Sequence, residues 1–440
     1  MCLSRVTLLS EQIGVRRRFK QTVCLSALCL MLPLIAFSAI PNPERPVRST
    51  PDPSTLAAKV MAGYQGWFRC PGDRAGFGWV HWSRDAKRIA PDTLTFEMWP
   101  DMREYAKKYA APGFTHPDGS QATLFSDEDY QTVLTHFRWM RDHDIDGVWL
   151  QHFAVDLQGG PLSDRYESRM RVLRNVQRAA AATGRVWVLT YDIAGMRLEQ
   201  IYDVVTADWK RMVQRGITKD RRYLHEKGLP VVMVWGFYKG NDHNAMDAPL
   251  ANRLIDFFKA DGPCKAYLVG GGDWNWRANP DPEWQRFLRR FDAYSPWNVG
   301  NYALDEHGLK HASMGMWEGD RQEMEKAGVR WIPVVYPGFG WDNLMRKAPH
   351  TTDIERRKGA FYWEQFVRLA RMKVDMAYLA MFDEVDEGTA IFKISDTPPV
   401  EAHFDTLEGM PSDWYLRLAR EGIRMLRGQR PVSEAIPIKP

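Results

Sequence analysis

Along most of the chain, short apolar runs rich in β-branched and aromatic residues alternate with stretches whose apolar positions recur every three or four residues. The runs Val60–Phe68, Gly147–Phe153, Arg185–Asp192, Pro230–Phe237, Ala266–Gly271, Phe291–Val299, Trp331–Tyr336 and Met376–Phe382 are predicted strands. They are nearly continuous in apolar residues rather than strictly alternating, as parallel strands covered on both faces require. Between them, Asp127–Arg141, Tyr166–Ala182, Pro282–Arg290 and Asp353–Lys373 carry the helical period. Ser126 with Asp129 three residues on reads as a variant capping box. A last helix, Asp413–Arg427, opens behind Ser412 and stops at Gly428. Eight strand–helix units closed by a C-terminal helix predict a (β/α)8 TIM barrel in the α/β class, with a long insertion after the first strand over residues 69–125. Thr95–Trp99 within that insertion competes as a ninth strand. A doubly wound open sheet is the alternative, but no glycine-rich dinucleotide fingerprint follows any strand.

Composition changes this picture at the ends. Arg16-Arg17-Arg18-Phe19-Lys20 precedes Thr22–Ala39, which has no charge, and small residues at Ala36 and Ser38 complete the pattern of a secretory signal peptide over residues 1–39. A loose twin-arginine reading of the same arginines is weaker than a plain secretory one. The expected localisation is secreted or periplasmic. Residues 40–54 hold five prolines and read as an extended linker; residues 55–428 are the barrel, and 429–440 a loose tail. The formal charge of +4 also belongs to the leader. Removing five of the 59 basic residues and one of the 55 acids leaves 54 of each, which takes away compositional support for nucleic acid or an anionic membrane as partner. Cys2, Cys24 and Cys29 fall in the leader, so Cys70 and Cys264 could form one disulfide but no framework.

In a barrel of this kind, the chemistry sits where strands end. Those ends offer Tyr64, Gln65 and Trp67; Trp149, Gln151 and His152; Tyr191 and Asp192; Trp235 and Tyr238; Asp273, Trp274 and Trp276; Trp297 and Asn298; Tyr336, Trp341 and Asp342; and Asp383, Glu384, Asp386 and Glu387. Flat aromatic faces beside hydrogen-bonding groups suit a sugar ring, although aromatics also pack barrels against helices. Tyr64, Trp67, Trp149, His152, Tyr191, Asp192, Trp235, Tyr336, Trp341, Asp342 and Asp383 are taken as candidate substrate-binding residues. The run Leu379–Thr389, LAMFDEVDEGT, puts four carboxylates behind an apolar strand. Glu384 and Glu387 would face opposite ways on a regular strand, so the chain must turn for both to converge, and Gly388 gives it that freedom. Two carboxylates at one site split into base and acid, the minimum equipment for cleaving a glycosidic bond. A calcium loop or a solvated acidic turn is the plainer reading, but alternate-position ligand spacing is absent. No serine elbow, HExxH helix or CxxC pair is present, and His81, His152, His225 and His243 are scattered. No cofactor and no metal are expected. The partner expected is a carbohydrate.

The Glu-Val-Asp-Glu-Gly-Thr of residues 384–389 resembles the Glu-Trp-His-Glu-Gly-Thr signature of glycoside hydrolase family 99, the endo-α-mannosidases. Ile145-Asp146-Gly147-Val148-Trp149 and Ile332-Pro333-Val334-Val335-Tyr336-Pro337-Gly338-Phe339 are similar to two further motifs of that family, and the likeness is greatest to bacterial family 71/99-like proteins. The resemblance implies a (β/α)8 hydrolase that retains anomeric configuration. It implies Glu384 as the base that deprotonates the sugar's own 2-hydroxyl and Glu387 as the acid that protonates the departing oxygen. Val385 stands where the family has Trp, Asp386 where it has His, and Asp383 where it often has Asn. A non-catalytic carbohydrate-binding barrel and a pentosidase acting on arabinan or xylan are the competing readings.

Overall fold

The computed structural model describes residues 50–239 and 246–440; the expected signal peptide, the first part of the expected linker and His243 lie outside the described residues. One parallel sheet organises the chain. Its strands are β1 (Val60–Tyr64), β2 (Gly147–Phe153), β3 (Val186–Asp192), β4 (Leu229–Phe237), β5 (Tyr267–Asp273), β6 (Ala293–Trp297), β7 (Arg330–Trp331), β8 (Val334–Val335) and β9 (Ala377–Leu379). They are hydrogen-bonded in the order β7-β6-β5-β4-β3-β2-β1-β9-β8. The two ends of this path are halves of one extended segment. Pro333, which has no N–H to give, separates them; the Ile332 N–H donates to Tyr294 on one side, while the Pro333 carbonyl accepts from Tyr378 on the other. That shared segment closes eight staves into a (β/α)8 barrel, so Thr95–Trp99 is not a ninth strand.

Eight helices follow the eight staves: α1 (Tyr130–Asp142), α2 (Tyr166–Thr183), α3 (Leu198–Gln214), α4 (Ala248–Lys259), α5 (Pro282–Leu288), α6 (Trp317–Lys326), α7 (Ala360–Arg371) and α8 (Trp414–Leu426). None of the described helices is long and apolar enough to cross a membrane. The capping box expected at the first does not form. The Ser126 hydroxyl donates to Asp73 at 2.6 Å, and the chain enters α1 only after Asp129. Ser412 is likewise drawn to Asp101, leaving Asp413 as the N-cap of α8. Gly428 does end that helix in the left-handed region, at φ 67°.

The segment between β1 and α1 is ordered around an aromatic cluster that includes Phe68, Trp82, Phe96, Trp99 and Phe125. It carries a hairpin, Tyr109–Thr115 with Gln121–Leu124. Its middle runs beside the chain that follows β9: Glu97 N–H donates to the Val385 carbonyl, and the Glu97 carbonyl accepts from Asp405. Two further expectations are corrected. The tail is tied down rather than loose, because Trp363 Nε1 donates to the Ser433 carbonyl at 3.0 Å and Ile436 and Ile438 pack against the core. Cys70 and Cys264 are both free thiols, Cys70 being buried with its sulfur against the Phe125 carbonyl.

Candidate active site

β9 ends at Leu379, and the chain then turns through Glu384–Thr389. The Thr389 N–H reaches back to the Glu384 carbonyl at 3.2 Å, and Gly388 adopts φ 60°. A Cβ at Gly388 would also sit a tight 3.0 Å from the Gly340 nitrogen, so both the backbone angle and the space favour glycine. Gly340 N–H donates to the Glu387 carbonyl at 3.0 Å, fixing this turn against the loop after β8. The turn needed for convergence is thus present, and Glu384 and Glu387 line the same cavity.

That cavity, of about 760 Å³, opens at the C-terminal mouth of the barrel. Its walls are aromatic. Trp67 stacks on Phe153 at 5.0 Å, and Trp235 meets Trp297 edge-on at 5.6 Å and Tyr238 at 5.4 Å. Trp274 and Trp341 complete the rim. Between these faces stand buried polar atoms with no protein partner: Gln65 Oε1, Gln151 Oε1, Trp67 Nε1 and Trp235 Nε1. Buried polar atoms are ordinarily satisfied, so this set is equipped for a ligand with apolar faces and a hydroxylated rim.

The two glutamates sit in different surroundings. Glu384 is buried; its Oε1 accepts from the Gln65 amide and its Oε2 from the Thr389 hydroxyl at 3.0 Å. Among the described residues the Glu387 carboxyl receives no hydrogen bond, and it faces the cavity. Burial, and then the charges of Asp386 and Asp192, push Glu387 up to about 7. Glu384 is raised well above the ordinary glutamate range, by burial first and then by Glu387 and Asp386, with the Thr389 hydroxyl opposing. Asp192, whose Oδ1 accepts from Ala194 N–H, is pushed up by burial to about 7. Carboxyls this close cannot all ionise, and the pair titrates as a unit. Burial works against charge on Glu384, but the Gln65 amide and the Thr389 hydroxyl both favour its ionised form, and the charge is assigned to Glu384 on that hydrogen bonding. Replacing Gln65 by Leu removes one of those donors. The acidic limb of the kcat/KM profile is expected to move up by about one to two pH units, since a hydrogen bond to a charged group contributes about 1.5–3 kcal/mol; an unmoved limb would disconnect Gln65 from the base.

Asp386 has an imidazole beside it. His81, from the insertion, stacks on Trp67 at 3.7 Å and brings Nδ1 to 3.1 Å from Asp386 Oδ2. The insertion also sends Arg69 and Phe77 to the cavity, while Arg169 of α2 braces its floor by bonding the Gln65 carbonyl at 3.0 Å and Asp156 at 2.9 Å.

Of the candidate binding residues, Trp67, Asp192, Trp235 and Trp341 line the cavity. The others do not. His152 and Tyr191 are neighbours in the β2–β3 register, and both turn outward to Asp208 of α3, at 3.1 and 2.9 Å. Alternation sends Gln151 and Asp192 inward in their place. Tyr64 faces α1, bonding His136 at 2.8 Å, and Tyr336 packs on Phe361 of α7 with its hydroxyl on the Asn301 carbonyl. Trp149 is buried inside the barrel beneath the cavity, stacked on Tyr378. Asp342 holds its own loop through Thr351 and Thr352. Asp383 accepts from the Gln65 and Gly66 N–H groups and so fixes the chain leaving β1.

The acids and aromatics gather at the C-terminal mouth of a (β/α)8 barrel, the face where enzymes of this fold carry their active sites. Among solved structures, the chain resembles the family GH99 endo-α-mannosidase from Bacteroides thetaiotaomicron, with a TM-score of 0.63 at 13% identity over 85% of this chain and 99% of that one. The same enzyme in complex with bis-tris propane gives 0.62 at 14% identity, with the same coverage. The likeness in sequence motifs is therefore matched by a likeness of fold. No protein-family model and no characterised protein sequence matches the chain.

Proposed function

We propose that this protein is an exported glycoside hydrolase that cleaves α-linked bonds of a polysaccharide or glycan with retention, α-mannosides being the first class to test. The observation that carries the proposal is the convergence of Glu384 and Glu387, from one turn, on one aromatic-walled cavity. Glu384, held by two donors, serves as base; Glu387, free of donors and pushed up to about 7, keeps a proton to give to the departing oxygen. Trp235, Trp274, Trp297 and Trp341 offer their rings to the sugar's C–H faces, whereas Trp67 has both faces covered, by His81 and Phe153. The likeness to an endo-α-mannosidase and the Glu-Val-Asp-Glu-Gly-Thr run support the α linkage, while Val385 and Asp386 alter the surroundings of the catalytic turn.

The test is a panel of α-mannan, α-1,3-glucan and arabinan read by release of new reducing ends. Cleavage of an α-hexan supports the proposal; cleavage of arabinan alone transfers the scaffold to pentosides, and binding without release makes it a carbohydrate-binding barrel. On the polymer that is cut, kcat/KM is expected to fall as pH rises through about 7, because an acid must hold its proton to donate it. A profile flat to pH 9 would contradict the role given to Glu387.

A further inference from the structure

Behind the catalytic turn, a second cluster gathers from two distant segments. The loop after β8 leaves the barrel at Phe339 and returns at Ile354, the two residues exchanging backbone hydrogen bonds of 3.1 and 2.8 Å. On its way it sends Trp341 into the cavity and carries His350 and Asp353 on its returning arm. The chain after β9 brings His403 and Asp405 to the same place. One ligating atom from each of His350, His403 and Asp405 lies within 4.8 Å of the other two, and the imidazoles meet edge to face at 4.6 Å.

Three details point past a chance grouping. His403 Nε2 is buried without a hydrogen bond, yet it faces Asp405 Oδ1 at 3.5 Å. This is too far for a good hydrogen bond but close to the roughly 3.4 Å that separates two ligands of a tetrahedral zinc ion with bonds of about 2.1 Å. Asp353 Oδ2 holds His350 Nδ1 at 2.6 Å, the carboxylate–histidine pairing that orients a metal-bound imidazole and leaves Nε2 to coordinate. The carboxyls of Asp342, Asp353 and Asp405 are also gathered around His350, with Lys310 Nζ on the Asp353 carbonyl at 2.6 Å. Arg356, the nearby guanidinium, gives its hydrogen bonds to the Gly388 and Ala390 carbonyls instead.

We propose that His350, His403 and Asp405 form a zinc site, with Asp353 orienting His350, that staples the Trp341 loop to the chain after the last strand. Imidazole and carboxylate donors select zinc over calcium, which takes six to eight oxygens. The site stands outside the cavity but backs onto the catalytic turn. A Cβ at Gly340 would lie 3.1 Å from both Asp353 Oδ1 and Asp405 Oδ2, and Gly340 N–H holds the Glu387 carbonyl. The inference concerns metal binding and does not depend on the sugar chemistry.

The test is titration of tag-free, chelator-stripped protein with zinc sulfate by calorimetry, with metal content measured after gel filtration. One equivalent of zinc is expected, with a rise in thermal midpoint. His403→Gln and His350→Asn are each expected to weaken binding by at least about tenfold, since even the outer partners of a metal ligand typically contribute roughly 10–100-fold. Asparagine tolerates the φ of 62° at position 350, and the His350 side chain is exposed, so the metal-free variant should melt with the wild type. No saturable zinc binding, binding unchanged in both variants, or displacement of zinc by equimolar calcium would each overturn the proposal.

Discussion

Glu387→Gln is expected to lower turnover by about 10²–10⁴-fold while leaving oligosaccharide affinity within a few-fold and the fold intact. The substitution is isosteric and removes only the proton that can be transferred. Because the Glu387 carboxyl accepts no hydrogen bond from the described residues, none of their donors is orphaned when it becomes an amide. Stability should if anything rise. A half-buried glutamate raised to about 7 opposes folding increasingly as pH climbs from its ordinary range through 7, and glutamine carries no such charge. The thermal midpoint at pH 8 should therefore equal or exceed that of the wild type. Full activity in the variant would remove Glu387 from the chemistry. Lost activity with a lowered melting point would make it a structural residue.

The largest expected effect on stability comes from Gly147→Ala. Gly147 opens β2, and a Cβ there would lie 1.8 Å from the Val186 carbonyl oxygen and 2.6 Å from its carbon. Those atoms belong to β3, whose backbone is fixed by pairing on both sides and cannot yield as a flexible side chain would. The residue before it tightens the constraint. Asp146 Oδ2 accepts from Val60 N–H at 2.7 Å and from Arg427 at 2.6 Å, and its backbone pairs with Val60 and Val186. One dipeptide thus joins the starts of β1, β2 and β3 to the last helix. Alanine at 147 must break this junction, at a cost of about 3 kcal/mol or more. Urea unfolding measures it, and a loss below about 1 kcal/mol would show that the strands can part. The Ile-Asp-Gly similarity to family 99 is explained here by packing, far from the catalytic end.

The same residues show what was legible in the sequence and what was not. The staves were legible because each is a continuous apolar run, and the turn at Glu384–Thr389 because Gly388 follows two glutamates that a straight strand would keep apart. The facing of individual strand ends was not. His152 and Tyr191 stand one position from Gln151 and Asp192, and in a strand one position exchanges inside for outside. Phe291–Val299 and Trp331–Tyr336 were recognisable as strands, but the break at Pro333 that closes the barrel depends on pairing with both neighbours. His81, Arg69 and Phe77 reach the cavity by way of the insertion, and no local spacing reports where a loop of that length returns. Asp386 and His81 lie far apart in the chain, so their pairing had no signature. The tail composition is that of a loose end, yet Ile436 and Ile438 find an apolar shelf.

The central claim is that the cavity at the barrel mouth cuts glycosidic bonds through Glu384 and Glu387. Its most direct test is time-resolved proton NMR of wild-type protein with the α-linked oligosaccharide selected by the panel, following the first anomeric resonance to appear. The expected result is a new reducing end formed first as the α anomer and then mutarotating, with no such signal from Glu384→Gln or Glu387→Gln. A β anomer formed first would contradict retention. A sugar that binds and shows no new reducing end with the wild type would contradict catalysis itself.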